Sequence, residues 1–179
     1  MNLCQNMGVF FLFKIFIFSA FCCLMLGTQQ AHAAKKMKLA VDAALTVPMG
    51  DWSLVSNVGV GGLLRLEYAM MPKVALTGRT GYIFHFDKNS ASLSTLPILL
   101  GAKYYILDEY EGLYVAGELG ASVNFASVGT IDSSDTAFAM AYSVGYEWKR
   151  LDFRGGFFMP DVGDAFGFMF NVGGTLVSF

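Results

Sequence analysis

Charge in this chain is confined to one side of a two-residue alternation. Eight stretches, at roughly 37–47, 57–70, 73–86, 96–107, 112–126, 135–148, 151–159 and 166–179, alternate in polarity. In an extended strand successive side chains point to opposite faces, so each stretch reads as a strand with two unlike sides. One parity carries Val41, Leu45, Leu64, Leu76, Leu100, Leu119, Val144, Phe153 and their like, and no charge. The other carries Lys38, Asp42, Arg65, Glu67, Arg79, Lys103, Glu118, Glu147, Asp152 and Arg154, five of each sign, among Gly, Ala, Ser, Thr and Asn. An Arg or Lys facing acyl chains at mid-depth costs roughly 2–4 kcal/mol. Ten such groups therefore point away from lipid. A closed sheet satisfies every backbone hydrogen bond and so can cross a membrane. The expected fold is all-β: an eight-stranded antiparallel up-and-down transmembrane β-barrel.

The joins between stretches support closure. Met71-Pro72, Asp108 to Glu111, and Lys149-Arg150 form tight connections. The other joins are longer and richer in Gly, Ser, Asp and Pro. Outer-membrane barrels have short periplasmic turns and longer outer loops. The rhythm predicts both termini on the periplasmic side. Aromatic residues cluster at strand ends, with Tyr68, Tyr104, Tyr146, Trp148 and Phe179 near one rim and Phe84, Phe86, Phe125 and Phe157 near the other. Rings with a polar edge favour the headgroup region. In the eighth stretch Phe166, Phe168, Phe170 and Val172 share one parity, whereas Val177 and Phe179 share the other. Gly173-Gly174 between them predicts a register shift at that point.

The interior of an eight-stranded barrel is just wide enough for side chains to fill it. Buried charges persist only when paired and hydrogen-bonded. Arg65, Glu67, Arg79, Lys103, Glu118, Glu147 and Arg154 are accordingly expected to form a salt-bridge network that plugs the lumen. The alternative for the same residues is a proton or ion path, since ionisable groups inside membranes often mark one.

The first 33 residues read as an export signal. Lys14 precedes an apolar run from Ile15 to Leu26, and Ala31-His32-Ala33 supplies a small-x-small cleavage site. A retained anchor is the competing reading, but a twelve-residue run falls short of the roughly 20 residues a spanning helix needs. Cleavage after Ala33 leaves one domain, 34–179. Cys4, Cys22 and Cys23 leave with the signal, so no disulfide framework or cysteine metal site is expected. Eleven basic residues then face fourteen acidic ones, a net of −3, which excludes a strongly basic nucleic-acid binder.

Candidate chemistry is sparse. His85 is the one histidine after residue 33, and Ser90 is the nearest serine. A nucleophile needs a base within hydrogen-bond reach and a third group to orient that base. The sequence places no such triad, and His85 is expected as a pore-mouth side chain bonded to loop backbone. The loop residues Asp51, Asp87, Asp132, Asp135, Asp161 and Asp164 stand against Lys88. They read as a solvated surface, or as oxygen ligands sharing divalent cations with lipopolysaccharide phosphates. No Ca²⁺-loop spacing, HExxH or phosphate loop occurs. No catalytic residue, cofactor or metal site is expected.

Thr46-Val47-Pro48-Met49-Gly50-Asp51, Gly81-Tyr82-Ile83, Leu96-Pro97-Ile98, Gly112-Leu113-Tyr114-Val115-Ala116-Gly117 and Leu176-Val177-Ser178-Phe179 together resemble the small OmpA-type and OmpX/Ail-like outer-membrane barrels. The resemblance covers about 34–179. It implies outer-membrane lipids and lipopolysaccharide as surroundings, and a monomer. It also implies that Phe179, with Val177 at the alternate position, is a signal for the barrel-assembly machinery. The function expected is a structural or surface-interaction role in the bacterial envelope, without enzyme activity. The alternatives are a periplasmic lipocalin-like carrier, a lipid A-modifying barrel enzyme and a small pore. The carrier would close its strands around an apolar pocket, which is the reverse of the polarity described above.

Overall fold

The computed structural model of the chain describes residues 37–88, 91–107, 111–128 and 131–179. The proposed export signal lies outside them. Eight strands form one closed antiparallel barrel with neighbours in chain order. They are β1 (Met37–Met49), β2 (Gly59–Met71), β3 (Val74–Lys88), β4 (Ala91–Tyr105), β5 (Gly112–Val128), β6 (Ile131–Trp148), β7 (Leu151–Asp161) and β8 (Ala165–Ser178). One short helix, α1 (Trp52–Val55), lies between β1 and β2. The end of the barrel carrying Met37 and Phe179 is here called the base, and the opposite end the top.

Register sets the shape. Paired neighbours lead once around the barrel from Lys38 through Glu67, Thr77, Gly101, Glu118, Ala141, Phe158 and Gly167. The circuit closes on Pro48, ten residues (48 − 38) above its start. A shear of ten over eight strands, with rise and spacing typical of sheets, tilts the strands by about 40°. This tilt decides which inward side chains share a level, because a partner on the next strand stands higher by about 3 Å.

The uncharged parity faces outward on every strand. Leu64, Leu100, Leu119 and Val144 are all at least half exposed, Leu100 at 70 %. An apolar surface wrapping a whole molecule is incompatible with water and suits lipid. Asp42, Arg65, Glu67, Arg79, Lys103, Glu118, Glu147, Asp152 and Arg154 are all buried in the lumen, with Lys38 half-buried at its base.

The lumen departs from the expected uniform polarity. Leu63, Ile83, Leu99, Phe158 and Met169 also point inward, and pack with Ala44, Ala139, Ala141 and Trp52 into an apolar cluster. By register this cluster lies above the charges. The interior is therefore stratified, ionic toward the base and apolar toward the top. Leu63, Ile83, Leu99 and Phe158 share the parity of Arg65, Arg79, Lys103 and Arg154 on their own strands, so alternation turns them inward, but it does not reveal that they gather above the charges.

Three further differences concern the strands. The joins expected as long loops after the third and fifth stretches are mostly ladder, since Lys88 pairs with Ala91 and Val128 with Ile131. Above the lipid zone both faces become polar, so period two fades although backbone pairing continues. The first long join holds α1, whose Trp52 folds back into the barrel and is 4 % exposed. The register shift in β8 lies beyond Gly173-Gly174: Leu39 pairs with Val177 and Ala40 with Thr175, leaving Leu176 as the extra residue. The bulge turns Leu176, Val177 and Phe179 outward. Gly173 stays in the ladder opposite Asp42, and a Cβ there would overlap the Asp42 carboxylate.

The turn between β6 and β7 stores strain. Lys149 has φ +56°, and its backbone N–H donates to Glu111 Oε1 at 3.0 Å. Left-handed backbone costs an L-residue other than glycine roughly 1–2 kcal/mol. Lys149→Gly keeps the N–H and is expected to raise unfolding stability by up to about 1 kcal/mol, the larger backbone entropy of glycine offsetting the remainder. Denaturant titration of the refolded barrel measures the change.

Candidate functional site: the barrel lumen

The lowest lumen level is a carboxylate cage closed on one lysine. Lys103 on β4 extends toward Glu67 on β2, Glu147 on β6 and Asp152 on β7, with Nζ at 2.6, 3.1 and 2.7 Å from their oxygens. One carboxylate oxygen from each of these three residues lies within 4.8 Å of the other two. That spacing suits a metal ion, but the lysine ammonium occupies the position. Lys38 reaches Glu147 Oε1 from below at 2.5 Å. Two tyrosines complete the cage: Tyr105 donates to Glu147 Oε2 at 2.6 Å and Tyr114 to Asp152 Oδ1 at 2.5 Å. The Tyr114 ring lies beside the Lys103 ammonium, its centroid 4.1 Å from Nζ, in range for a cation–π contact.

Arginines dominate the next level. Arg65 bridges downward to Glu67, at 2.7 Å, and to Asp152, and sideways to Asp42 at 3.1 Å. Arg79 on β3 and Arg154 on β7 converge on one acceptor, Glu118 on β5, with the Arg154 bond at 3.0 Å. Thr77 also donates to Glu118, at 3.2 Å, and Arg154 Nε donates to the Tyr114 hydroxyl at 2.9 Å. All seven residues expected to form the network sit in the lumen, in two groups. Glu67, Lys103 and Glu147 belong to the cage, with Arg65 linking it upward. Arg79, Glu118 and Arg154 form the second group.

Sequence reasoning left Asp152, Asp42, Tyr105 and Tyr114 out of the network. Asp152 is its hub, accepting from Arg65, Lys103 and Tyr114. Its inward parity was the available signal. The tyrosines share the parity of Lys103 and Glu118 on their own strands, so that signal existed for them as well. Tyr114→Phe leaves Asp152 Oδ1 and Arg154 Nε each without this partner. It is expected to cost about 1–3 kcal/mol in equilibrium unfolding.

His85 is wholly buried at the top, which corrects the expectation of a pore-mouth position. Its Nε2 lies 3.1 Å from Thr46 Oγ1, and Trp52 packs edge-on at 5.1 Å between ring centroids. The reason is α1, which brings Trp52 over the lumen. A hydroxyl beside an imidazole has the form of a nucleophile–base pair, but Thr46 and His85 are both 0 % exposed. Outside the wall at the top, Asp161 sits near Asp135 and Asp164. Partial burial, followed by these two neighbours, holds its carboxyl above the ordinary carboxylate value.

At the base, Phe179 and Met37 exchange backbone hydrogen bonds of 2.8 and 3.1 Å, which tie the end of the chain into the ladder. Val177 and Phe179 are both exposed on the outer face.

Neither a family model nor a curated protein sequence matches the chain. Solved structures do. The crystal structure of Ail, the attachment invasion locus protein of Yersinia pestis, matches with a TM-score of 0.62 at 14 % identity over 82 % of this chain and 100 % of that one. The backbone structure of the Yersinia pestis outer membrane protein Ail in a phospholipid bilayer nanodisc matches with a TM-score of 0.52 at 15 % identity, over 79 % and 99 %. Neisserial surface protein A matches with a TM-score of 0.51 at 15 % identity, over 80 % and 97 %. With its closed eight-strand topology, apolar outer wall and ionic lumen, the chain has the fold of the small outer-membrane β-barrels.

Proposed function

We propose that this chain is an integral barrel of a bacterial outer membrane, exported by a signal cleaved after Ala33, with a structural or surface-contact role and no enzyme activity. The observation that carries this reading is the filled lumen. An ionic lattice at the base and an apolar layer above it occupy the space a solute would need. The paired charges argue for a plug over an ion path, because Lys103 is held by carboxylates on three strands and Lys38 is paired with Glu147 below it. Buried polar networks of this kind also fix register, since a slipped strand would leave charges unpaired.

Membrane fractionation with heat-modifiability on gels tests location, and planar-bilayer recording tests the plug. Detergent-dependent extraction, a heat-sensitive band shift and a flat current trace are expected. Recovery in the soluble osmotic-shock fraction would support a carrier instead, and steady conductance steps would support a pore. His85→Ala should leave lipid A acylation unchanged.

Lipids and lipopolysaccharide surround the barrel in this reading, and it acts as a monomer. Val177 and Phe179 serve the barrel-assembly machinery. Phe179→Ala is expected to lower the folded yield in cells severalfold while changing the stability of detergent-refolded protein by no more than about 1 kcal/mol. Quantifying the unheated band against total protein separates the two effects. Ail has been crystallised with the heparin analogue sucrose octasulfate. The exposed top of this chain carries Asp51, Asp135 and Asp164, which repel a sulfated ligand, so polyanion binding is not part of the proposed role.

A further inference from the structure

On three neighbouring strands the outer face changes character at one height. Outward positions are apolar as far as Leu96 on β4, Val123 on β5 and Phe138 on β6. Above them the same faces carry Ser94 and Ser92, then Phe125 and Ser127, then Thr136 and Ser134. Register sets Ser94 and Ser134 on either side of Phe125, with Ser92 opposite Ser127 one outward position higher. Ser92, Ser94, Phe125, Ser127 and Ser134 line an open depression of about 380 Å³. With the strand tilt included, it stands above Phe84 and Phe138, where acyl chains give way to headgroups.

The lining specifies the ligand. No charged side chain lines the depression among the described residues. The exposed carboxylate of Asp135 adjoins Ser134 in the chain, so an anion is disfavoured. A serine hydroxyl both donates and accepts, which suits a ligand that also does both. Phe125 is 39 % exposed between flanking hydroxyls, and its ring offers a flat apolar face. Ser94 is 7 % exposed. The Tyr82 hydroxyl donates to Ser94 Oγ at 2.6 Å, and among the described residues the Ser94 proton has no acceptor. Donors buried to this extent are normally matched, so a partner in the depression is called for. A pyranose ring meets all of these demands. One of its faces is lined by C–H bonds, and its rim is a set of hydroxyls that donate and accept. A concave site with an aromatic wall and a few convergent polar groups is the usual form of a small-ligand site.

We propose that this depression is a saccharide subsite, which seats a neutral sugar ring of a membrane glycolipid headgroup on Phe125 with hydrogen bonds to Ser92, Ser94 and Ser134. The proposal rests on the reading of the chain as an outer-membrane barrel, since only then does the depression stand at headgroup height in a sugar-bearing leaflet. The acyl chains of the same lipid run down the apolar wall past Leu96 and Val123. That anchorage holds the sugar at a high effective concentration beside the site.

The test uses mature protein in phosphatidylcholine nanodiscs, with the heat-dependent gel shift reporting a folded barrel. Monoglucosyl diacylglycerol is the probe, titrated while backbone amide resonances are followed. Saturable shifts at Ser94, Phe125, Ser127 and Ser134 are expected, and diacylglycerol without the sugar should produce none there. Free methyl glucoside should move the same amides only at much higher concentration, because it lacks the anchor. Phe125→Ala should weaken glycolipid binding about tenfold, and Phe125→Trp should retain it. Phe125 lies on the outer face, outside the packed lumen. Should Phe125→Ala nonetheless fail to fold, Ser134→Val at an exposed position is the second probe and should weaken binding severalfold. Equal shifts with glycolipid and diacylglycerol, a response to free glucoside alone, or unchanged binding in the folded variants would each overturn the proposal. Failure of the barrel reading itself would look different, as recovery in the osmotic-shock fraction with no gel shift.

Discussion

Lys103→Met is expected to destabilise the folded barrel by about 3–5 kcal/mol, the scale for removing one partner from a buried ionic network. The loss belongs at the upper end because one ammonium serves three carboxylates. Glu67, Glu147 and Asp152 each bring one oxygen within 4.8 Å of the others, and Lys103 Nζ sits among them. Methionine conserves most of the stem volume, so the change isolates charge from packing. Arg65 and Lys38 remain, but Arg65 is already divided among Asp42, Glu67 and Asp152. Neutralising one carboxylate in the same chain, as in Lys103→Met with Glu67→Gln, should recover part of the loss. Urea unfolding in detergent micelles, followed by tryptophan fluorescence and gel shift, reads both variants. A single-variant loss below about 1 kcal/mol would mean that water screens the cage and that the lattice does not seal the base.

Phe158→Ala is the apolar counterpart, with an expected loss of about 3–5 kcal/mol. Phe158 is 0 % exposed and packs in the cluster that contains Trp52, Leu63, Leu99 and Met169. Ringed by β-sheet, that cluster has little freedom to collapse into the space left behind. The adjacent Phe157 provides an internal control, being the same side chain one residue away on the opposite face, 42 % exposed. Lipid or detergent tails can fill the space left by Phe157→Ala, so its loss should be under half as large. Equal losses at both positions would show that the upper lumen is not a packed core. Planar-bilayer recordings of Phe158→Ala should stay flat, because the Lys103 cage below still spans the lumen.

These two variants also mark the boundary between what was legible in the chain and what was not. That Lys103 points inward follows from period two, since ten charges on one parity could not face acyl chains. That Lys103 meets Asp152, 49 residues away, does not follow from any local pattern. Contacts across a barrel depend on shear, and shear is the sum of eight register choices. The inward position of Phe158 follows from the same rule, since it shares the parity of Asp152 and Arg154 on β7. Its packing with Trp52, Leu63, Leu99 and Met169 does not, because those partners lie on other strands and meet it only through register.

His85 illustrates the same limit. Its place near a strand end suggested an open mouth, but the four-residue helix α1 sets Trp52 over it and turns the mouth into core. Asp51, Asp135 and Asp164 are exposed, as their loop positions suggested.

By itself, the amino-acid order determined the strand count, the segregation of charge to one face and the consequent requirement for a closed wall in lipid, because these depend only on alternation and on solvation cost. The tertiary structure alone decided which cation answers which carboxylate, that the lumen is layered, and where the chain bulges to close on itself. Each of those outcomes is set by the pitch at which tilted strands meet, a property of the whole circuit and not of any one segment.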